Sequence, residues 1–348
     1  MCAGPPCVGG GLAVYRIRAV VAGAVWRGRR YNRAFSGKTA FMQLVRGLHN
    51  VHPAPAGCVA TIGNFDGVHR GHQQILLRLR ERGQALGLPS CVIIFEPQPM
   101  EFFRPDDAPV RLTRLRDKLE LFAAAGVDQV LCVAFNRRLQ QLTAGEFVSR
   151  VLVQALNVRH LQVGDDFRFG CDRSGDFAFL QRAGAESGFS VEPTRTVTLA
   201  GQRVSSTLIR ETLAAGDFTA AEQLLGRPYS ILGRVLHGQK LGRQLNAPTA
   251  NIQLKRRHAP LRGVYCVSVR LADGRVVPGV ANIGMRPTVE QQNEIAHLEV
   301  HLLDFNEDIY GQRLAVEFHH KLRDEEKFAD VVQLRAAIAE DVRRARAY

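Results

Sequence analysis

Two histidines three residues apart, His69 and His72, stand in the segment Thr61-Ile62-Gly63-Asn64-Phe65-Asp66-Gly67-Val68-His69-Arg70-Gly71-His72. An apolar, strand-like run precedes it and an amphipathic stretch follows. At the first turn of a helix, such a pair can face one ligand. The same helix start offers unpaired N–H groups and the positive end of the helix dipole, which suit a phosphate. Gly63, Gly67 and Gly71 allow backbone to approach that ligand closely. Taken alone, the pair also fits a surface turn with two unrelated histidines. A metal site is a further reading, though no HExxH spacing and no neighbouring Cys/His pair accompanies it.

A second helix start of the same kind is Arg203-Val204-Ser205-Ser206-Thr207-Leu208-Ile209-Arg210. Ser206 and Thr207 are of the type that caps a helix, and Arg203 and Arg210 supply cationic forks for phosphate oxygens. By itself this stretch is only a cap. A third constellation opens at Gly233-Arg234-Val235-Leu236-His237-Gly238-Gln239-Lys240-Leu241-Gly242-Arg243, where Gly238 and Gly242 punctuate a basic loop able to fold over phosphates. Pro248-Thr249-Ala250-Asn251 follows. Glu299 lies in Leu298-Glu299-Val300-His301-Leu302-Leu303-Asp304, which on pattern alone reads as an exposed glutamate of an alternating strand.

The elements that must hold these residues fall into two groups. From 42 to about 225, strand-like runs (Cys58–Ile62, Ser90–Phe95, Val130–Phe135, His160–Val163) alternate with helical patterns (Gln73–Leu86, Thr113–Ala125, and a helix to Leu156 opened by the capping box Thr143-Ala144-Gly145-Glu146). Leu115, Leu119 and Phe122 share one helical face. This alternation predicts a mostly parallel α/β sheet covered on both faces, with its ligand at the carboxyl ends of the strands. After Gly226-Arg227-Pro228 the pattern turns to short β runs: Tyr229–Leu236, Val264–Leu271, Val276–Ile283, His297–Leu303 and Leu314–Phe318. That predicts an antiparallel barrel or sandwich, followed by a charged amphipathic helix from Phe328 to Arg346.

The chain has 348 residues, of which 46% are apolar and 23% charged, a composition that excludes a wholly disordered protein and fits two domains. No run of 18 apolar residues occurs, so no membrane-spanning helix is expected. The net charge of +13 would point to nucleic acid, but its distribution weakens that reading. Residues 1–41 carry seven basic side chains and no acid, which leaves +6 on 42–348. This Arg- and Gly-rich leader has features of a signal or transit peptide. The expectation is that Met42 begins the folded protein and that 1–41 lie outside the fold. Seven cysteines, odd in number and without a CxxC pair, read as buried thiols of a reduced, cytoplasmic protein.

The spacing G-x-F-D-x-x-H-x-G-H after a strand resembles the HxGH signature of nucleotidyltransferases, which need donors on a triphosphate rather than covalent help. Joined to Val163-Gly164-Asp165-Asp166-Phe167-Arg168-Phe169-Gly170, Arg173-Ser174-Gly175, the V-S-S-T-x-I-R stretch and P-T-A-N, it makes residues 42–345 similar to the prokaryotic bifunctional riboflavin kinase/FMN adenylyltransferase (FAD synthetase) family. Gly263-Val264-Tyr265, Ala281-Asn282-Ile283-Gly284 and Arg286-Pro287-Thr288 match further family stretches.

The resemblance implies a Rossmann-like nucleotidyltransferase domain over 42–226 and an antiparallel riboflavin kinase barrel with a terminal helix over 227–348. It implies two reactions with ATP, riboflavin to FMN and FMN to FAD, with small molecules rather than nucleic acid or membrane as partners. His69 and His72 then contact ATP phosphates, with Gly63, Asn64, Asp66 and Gly71 nearby and Asp166 among the nucleotide or flavin contacts. Arg203, Ser206, Thr207 and Arg210 fall on the triphosphate side, and core packing is the reading for Phe167 and Phe169. In the barrel, Thr249 and Asn251 serve ATP–Mg²⁺, for which their oxygens are suitable. Gly238, Gly242 and Arg323 fall among the ATP and flavin contacts, the last in a flap, Leu322–Phe328. Glu299 becomes the general base for the ribityl hydroxyl.

One departure matters. Leu245-Asn246-Ala247-Pro248 stands where most of the family has L-G-(aromatic)-P. Losing the aromatic removes apolar contact near the site, so kinase activity weaker than the family norm is expected, with the fold retained. A monofunctional adenylyltransferase with an impaired barrel therefore stays open as an alternative, and a basic nucleic-acid-binding protein stays open as another. A tRNA-synthetase-like enzyme would carry a K-M-S-K-S-like loop, which is not found. The oligomeric state is not legible.

Overall fold

A computed structural model describes residues 14–18, 41–237, 249–254, 258–287 and 294–348. Gly238, Gly242, Asn246 and Ala247 lie outside the described residues.

The first sheet has seven strands: β1 (Val14–Arg18), β2 (Phe41–Arg46), β3 (Cys58–Ile62), β4 (Ser90–Glu96), β5 (Gln129–Ala134), β6 (Val158–Val163) and β7 (Ser190–Pro193), in the order β1-β2-β5-β4-β3-β6-β7. From β2 to β7 all neighbours run parallel. Around them lie α1 (Arg70–Leu86), α2 (Pro99–Phe103), α3 (Leu115–Ala124), α4 (Arg137–Gln140), α5 (Ala144–Phe147) and α6 (Phe177–Ser187). Alternate residues of β4 point to opposite cores. Val92 and Ile94 pack with Leu76 and Leu79 of α1 and Leu119 and Phe122 of α3, whereas Cys91 and Ile93 pack with Phe147, Leu152 and Leu180. Burial on both faces is why these strands read as continuous apolar runs. The capping box at Thr143 and Glu146 forms, but beyond α5 the helix continues as a π-helix, Val148–Ala155.

The leader does not lie wholly outside this fold. β1 pairs antiparallel with β2, from Val14↔Val45 to Arg18↔Phe41. From Tyr15 to Arg18 it alternates strand-forming and basic residues, a pattern that an acid-poor leader composition masks. Ile17 packs against the α1/α3 core, and the Tyr15 ring lies 5.6 Å from the Arg46 guanidinium carbon.

A two-stranded ribbon, β8 (Thr198–Leu199) with β9 (Gln202–Arg203), leads to α7 (Ser206–Ala214) and α8 (Phe218–Leu225). The cap of α7 is Ser205, whose side chain accepts from Leu208 N, and not Ser206 or Thr207 as the sequence implies; Ser205 alone holds the extended backbone a cap requires.

The second sheet closes into a six-stranded antiparallel barrel, in the order β10 (Ser230–Leu236), β11 (Thr249–Ile252), β14 (Glu294–Leu302), β13 (Val276–Pro287), β12 (Gly263–Arg270), β15 (Arg313–Arg323). The terminal helix α9 (Val331–Ala347) packs outside β12, β13 and β15. Ile209, Leu213, Phe218 and Leu225 of α7 and α8 share one core with Tyr229, Tyr265 and Phe318 of the barrel. Phe218 meets Tyr265 edge-on at 5.7 Å. Arg114 ties the two sheets together. It donates to the carbonyls of Leu232, Gln253 and Leu254 while pairing with Asp117, which also meets Arg313.

Candidate active sites

Strand order reverses between β3 and its neighbours β4 and β6, and ligands of open parallel sheets sit at such a switch point. The loop leaving β3 there is Gly63–His69. Its backbone is unusual, with positive φ at Phe65 (49°), Gly67 (81°) and Val68 (42°). A Cβ on Gly67 would lie 2.9 Å from Leu112 Cδ1, so both backbone angle and space demand glycine there. His69 caps α1, its Nδ1 accepting from His72 N at 3.3 Å. The two imidazoles stack with centroids 3.6 Å apart. A Cβ on Gly71 would come within 3.1 Å of the His69 ring, so the glycine makes room for it.

Burial lowers the His69 pKa to about 4, and the Arg227 and Arg203 cations work in the same direction, partly offset by Asp66. Burial, followed by the electrostatic influence of His69, Lys118 and Arg227, also lowers the pKa of His72. At neutral pH the pair is two neutral N–H donors, compatible with a 3.6 Å stack that two cations would not tolerate. His72 Nδ1 is buried without a protein partner.

Asp66 and Arg210 face each other rather than the mouth. Asp66 Oδ1 accepts from Thr113 N (3.0 Å) and Thr113 Oγ1 (3.1 Å), and Oδ2 from Leu112 N (3.0 Å) and Arg210 Nη2. Arg210 Nε donates to Val110 O, and Ser206 Oγ donates to Asp66 O at 2.9 Å. The two motifs found separately in the sequence are thus bonded to each other, with Asp66, Ser206 and Arg210 as the joint. Asn64, Thr207, Arg203 and Asp166 are exposed, and Arg203 pairs with Asp166 at 3.4 Å.

Sequence reasoning missed the cavity beside this turn. About 970 Å³ in volume, it is lined by Gly63, Asn64, Phe95, Phe103, Phe135, Phe147, Phe167 and Phe169. Phe169 is buried in the core as expected, yet together with Phe167, stacked on it at 5.5 Å, it also walls this cavity. The available signal was the cluster of Phe95, Phe102 and Phe103 around the turn residues Pro97 and Pro99. Lys118 was missed too. It is 1% exposed and donates to Asn64 O, and burial lowers its pKa. It stands three positions after Leu115, on the face that the sequence marks as apolar.

The barrel gathers a second set. β11 alternates in burial, sending Ala250 and Ile252 inward and Thr249 and Asn251 outward; in β14, Leu298 and Val300 face the core and Glu299 faces out. Register places Asn251 opposite Glu299, Glu299 opposite Asn282, and Thr249 opposite His301. Neighbours of this kind have Cβ atoms about 5 Å apart. Asn282 Oδ1 is buried without a hydrogen-bond partner. Nearby, a Cβ on Gly284 would clash with Glu325 Oε1, so the segment after β15 lies directly on β13. Arg323 points elsewhere. Its fork grips buried Asp341 of α9, with Nη2–Oδ2 at 2.8 Å.

A switch-point sheet with a donor-rich helix start, joined to a barrel carrying an outward row of oxygen donors and a carboxylate, defines a phosphate-transfer enzyme with two modules. Comparison with known proteins makes this specific. Residues 51–208 match the FAD synthetase family and 225–348 the riboflavin kinase family. The chain is 64% identical to the bifunctional riboflavin kinase/FMN adenylyltransferase of Pseudomonas fluorescens, over 88% of this chain and 97% of that one. It is 52% identical to that of Escherichia coli K12, over 88% and 98%. A crystal structure of a macrolide-efflux protein from Streptococcus pneumoniae superposes with a TM-score of 0.72 at 28% identity, covering 88% of this chain and 99% of the other. The chain belongs to the bifunctional riboflavin kinase/FMN adenylyltransferase family. It phosphorylates riboflavin to FMN with ATP and adenylylates FMN to FAD with release of pyrophosphate. No helix among the described residues is long and apolar enough to cross a membrane.

Proposed function

We propose that adenylyl transfer is carried by residues 42–226 at the β3–α1 turn and phosphoryl transfer by residues 227–348 on the outer face of β11, β14 and β13. The stacked, neutral His69–His72 pair at the N-terminus of α1 carries the first assignment. Neutral imidazole N–H groups and the free amides of α1 donate to the ATP phosphates. Arg203 approaches from β9 and Thr207 from α7, and Asn64 and Asp166 stand at the mouth. Asp66, Ser206, Gly63, Gly71 and Arg210 shape the turn. The aromatic cavity beside Asn64 suits the flat flavin ring. There an FMN phosphate oxygen attacks the α-phosphorus of ATP, the bond to the β-phosphate oxygen breaks, and pyrophosphate leaves. No covalent enzyme intermediate is required.

In the barrel, Glu299 takes the proton of the ribityl 5′-hydroxyl as that oxygen bonds to the γ-phosphorus and ADP departs. Thr249, Asn251 and the unpartnered Oδ1 of Asn282 are hard oxygen donors and fit Mg²⁺. Bound there, Mg²⁺ would offset negative charge on the ATP phosphates. The work is done in the cytoplasm on small molecules, without nucleic acid or membrane as partners. That seven of the basic residues fall in 1–41, leaving +6 on 42–348, supports the small-molecule reading.

The test separates the half-reactions in the full chain by flavin chromatography, starting from riboflavin or from FMN. His72→Asn is expected to abolish FAD formation from FMN and spare FMN formation from riboflavin, and Glu299→Gln to do the reverse. A Glu299→Gln enzyme that phosphorylates riboflavin at the wild-type rate would refute the base assignment.

A further inference from the structure

Arg227 begins the connection between α8 and the barrel and falls within the riboflavin kinase match. Its guanidinium nevertheless lies under the other active site. Nη2 donates to Gly67 O at 2.7 Å, and Nη1 to Val68 O at 3.2 Å and Leu225 O at 3.4 Å. Its partners are backbone carbonyls and no described carboxylate pairs with it; the side chain is half-buried, and burial lowers its pKa to about 10. A charge placed so is costly for stability, and an apolar side chain would pack the junction without that cost.

What the cation holds is strained. Val68 is β-branched and sits at φ 42°, a conformation that persists only when its surroundings impose it. The restraints converge on the three consecutive peptides from Asp66 to His69. Gln73 Nε2 donates to Val68 O (2.9 Å) and Leu225 O (2.7 Å), and Thr113 Oγ1 accepts from Gly67 N (2.9 Å). His69 is the next residue, so a rotated Val68 peptide would turn the His69 ring and break its bond to His72 N.

We propose that Arg227 is a positioning residue for adenylyl transfer, reaching back from the interdomain connection to fix the Gly67–Val68 backbone that aims His69 and His72. This rests on the reading that the two histidines meet the ATP phosphates. The connection to the kinase barrel therefore supplies a working part of the adenylyltransferase. Arg227 also acts through charge. The titratable groups facing His69 are Asp66, Arg203 and Arg227; those facing His72 are His69, Lys118 and Arg227. Arg227 is the one cation common to both that also holds their backbone.

The experiment uses the full chain with Arg227→Met, Arg227→Lys and His72→Asn, reading both half-reactions and the pH profile of FAD formation from FMN. Arg227→Met is expected to lower the adenylyltransferase kcat by about 10- to 100-fold, the scale of a misplaced catalytic group. The KM for ATP should change little, riboflavin phosphorylation should be intact, and the acid limb should move to higher pH. Arg227→Lys keeps the charge but not the fork, so the acid limb should return to its wild-type position while kcat recovers only in part. Wild-type kcat and acid limb in Arg227→Met would overturn the proposal. So would parallel loss of both activities, which marks a merely structural residue. An undiminished His72→Asn enzyme would instead refute the histidine reading itself.

Discussion

The Asp66 carboxylate and the Arg210 guanidinium meet beneath the histidine turn, joining residues 144 positions apart. Asp66 lies in the loop after β3 and Arg210 in α7, so this pair brings the starts of α1 and α7 together. Their side chains are only 4% and 21% exposed.

Removing one member should therefore cost more than removing both. Asp66→Asn leaves Arg210 without its counter-charge and is expected to destabilise the chain by about 3 kcal/mol. Asp66→Asn combined with Arg210→Met should recover part of that. Thermal unfolding of the two single variants and the double closes the cycle. An additive double variant would mean the pair is not coupled.

The depressed pKa of His69 carries a pH dependence of stability. The unfolded imidazole titrates near 6.5 and the folded one at about 4, with burial as the main cause. Above pH 6.5 both are neutral and nothing is lost. As pH falls from 6.5 to about 4, the unfolded chain binds a proton that the folded chain refuses, so stability declines by about 3 kcal/mol. Urea titrations at pH 7 and pH 4.5 should show a loss that is smaller in His69→Gln. Equal losses in both proteins would contradict the neutral assignment.

Much of this was legible in the residues, for identifiable reasons. The strands of the first sheet are apolar on both faces and the helices between them have one clear face, so Cys58–Ile62 and α3 were read almost to the residue. Capping chemistry at Thr143 was readable because it is local; the π-helix after it was not, because the hydrogen-bond pattern leaves no trace in periodicity. What stayed hidden depends on through-space partners. Lys118 looks like an ordinary polar position until Asn64 is brought to it. Asn282 looks like a strand asparagine until register sets it beside Glu299. β1 was hidden by composition, since five strand residues are diluted within a long Arg- and Gly-rich stretch.

The Asn246-Ala247 pair leads to a prediction that rests on sequence alone. Restoring the family's pattern with Asn246→Gly and Ala247→Phe should return an apolar contact beside Thr249. Kinase kcat/KM is expected to rise roughly three- to tenfold, the size of one aromatic contact. Adenylyl transfer should not respond. Steady-state assays of the two half-reactions check this, and an unchanged kinase would remove the impaired-barrel reading.

Arg323 offers the sharpest choice between frame and ligand contact. Family resemblance sets it among the flavin or ATP contacts of the kinase, but its fork is filled by Asp341, and its guanidinium carbon lies 5.4 Å from the Phe328 ring centroid. Asp341 is 3% exposed, so Arg323→Met strands a buried carboxylate and should destabilise the chain by about 3–5 kcal/mol. Replacing both, Arg323→Met with Asp341→Leu, removes the stranded charge and should restore most of that stability, since an apolar pair of similar volume commonly substitutes for a buried ion pair. The kinetic readout then separates the two roles. If Arg323 only clamps α9 onto the barrel, the double variant will phosphorylate riboflavin with near-wild-type KM values for riboflavin and ATP. If it touches the flavin, the KM for riboflavin will stay raised in the double variant even though its melting temperature has recovered. The geometry of the clamp predicts the first result.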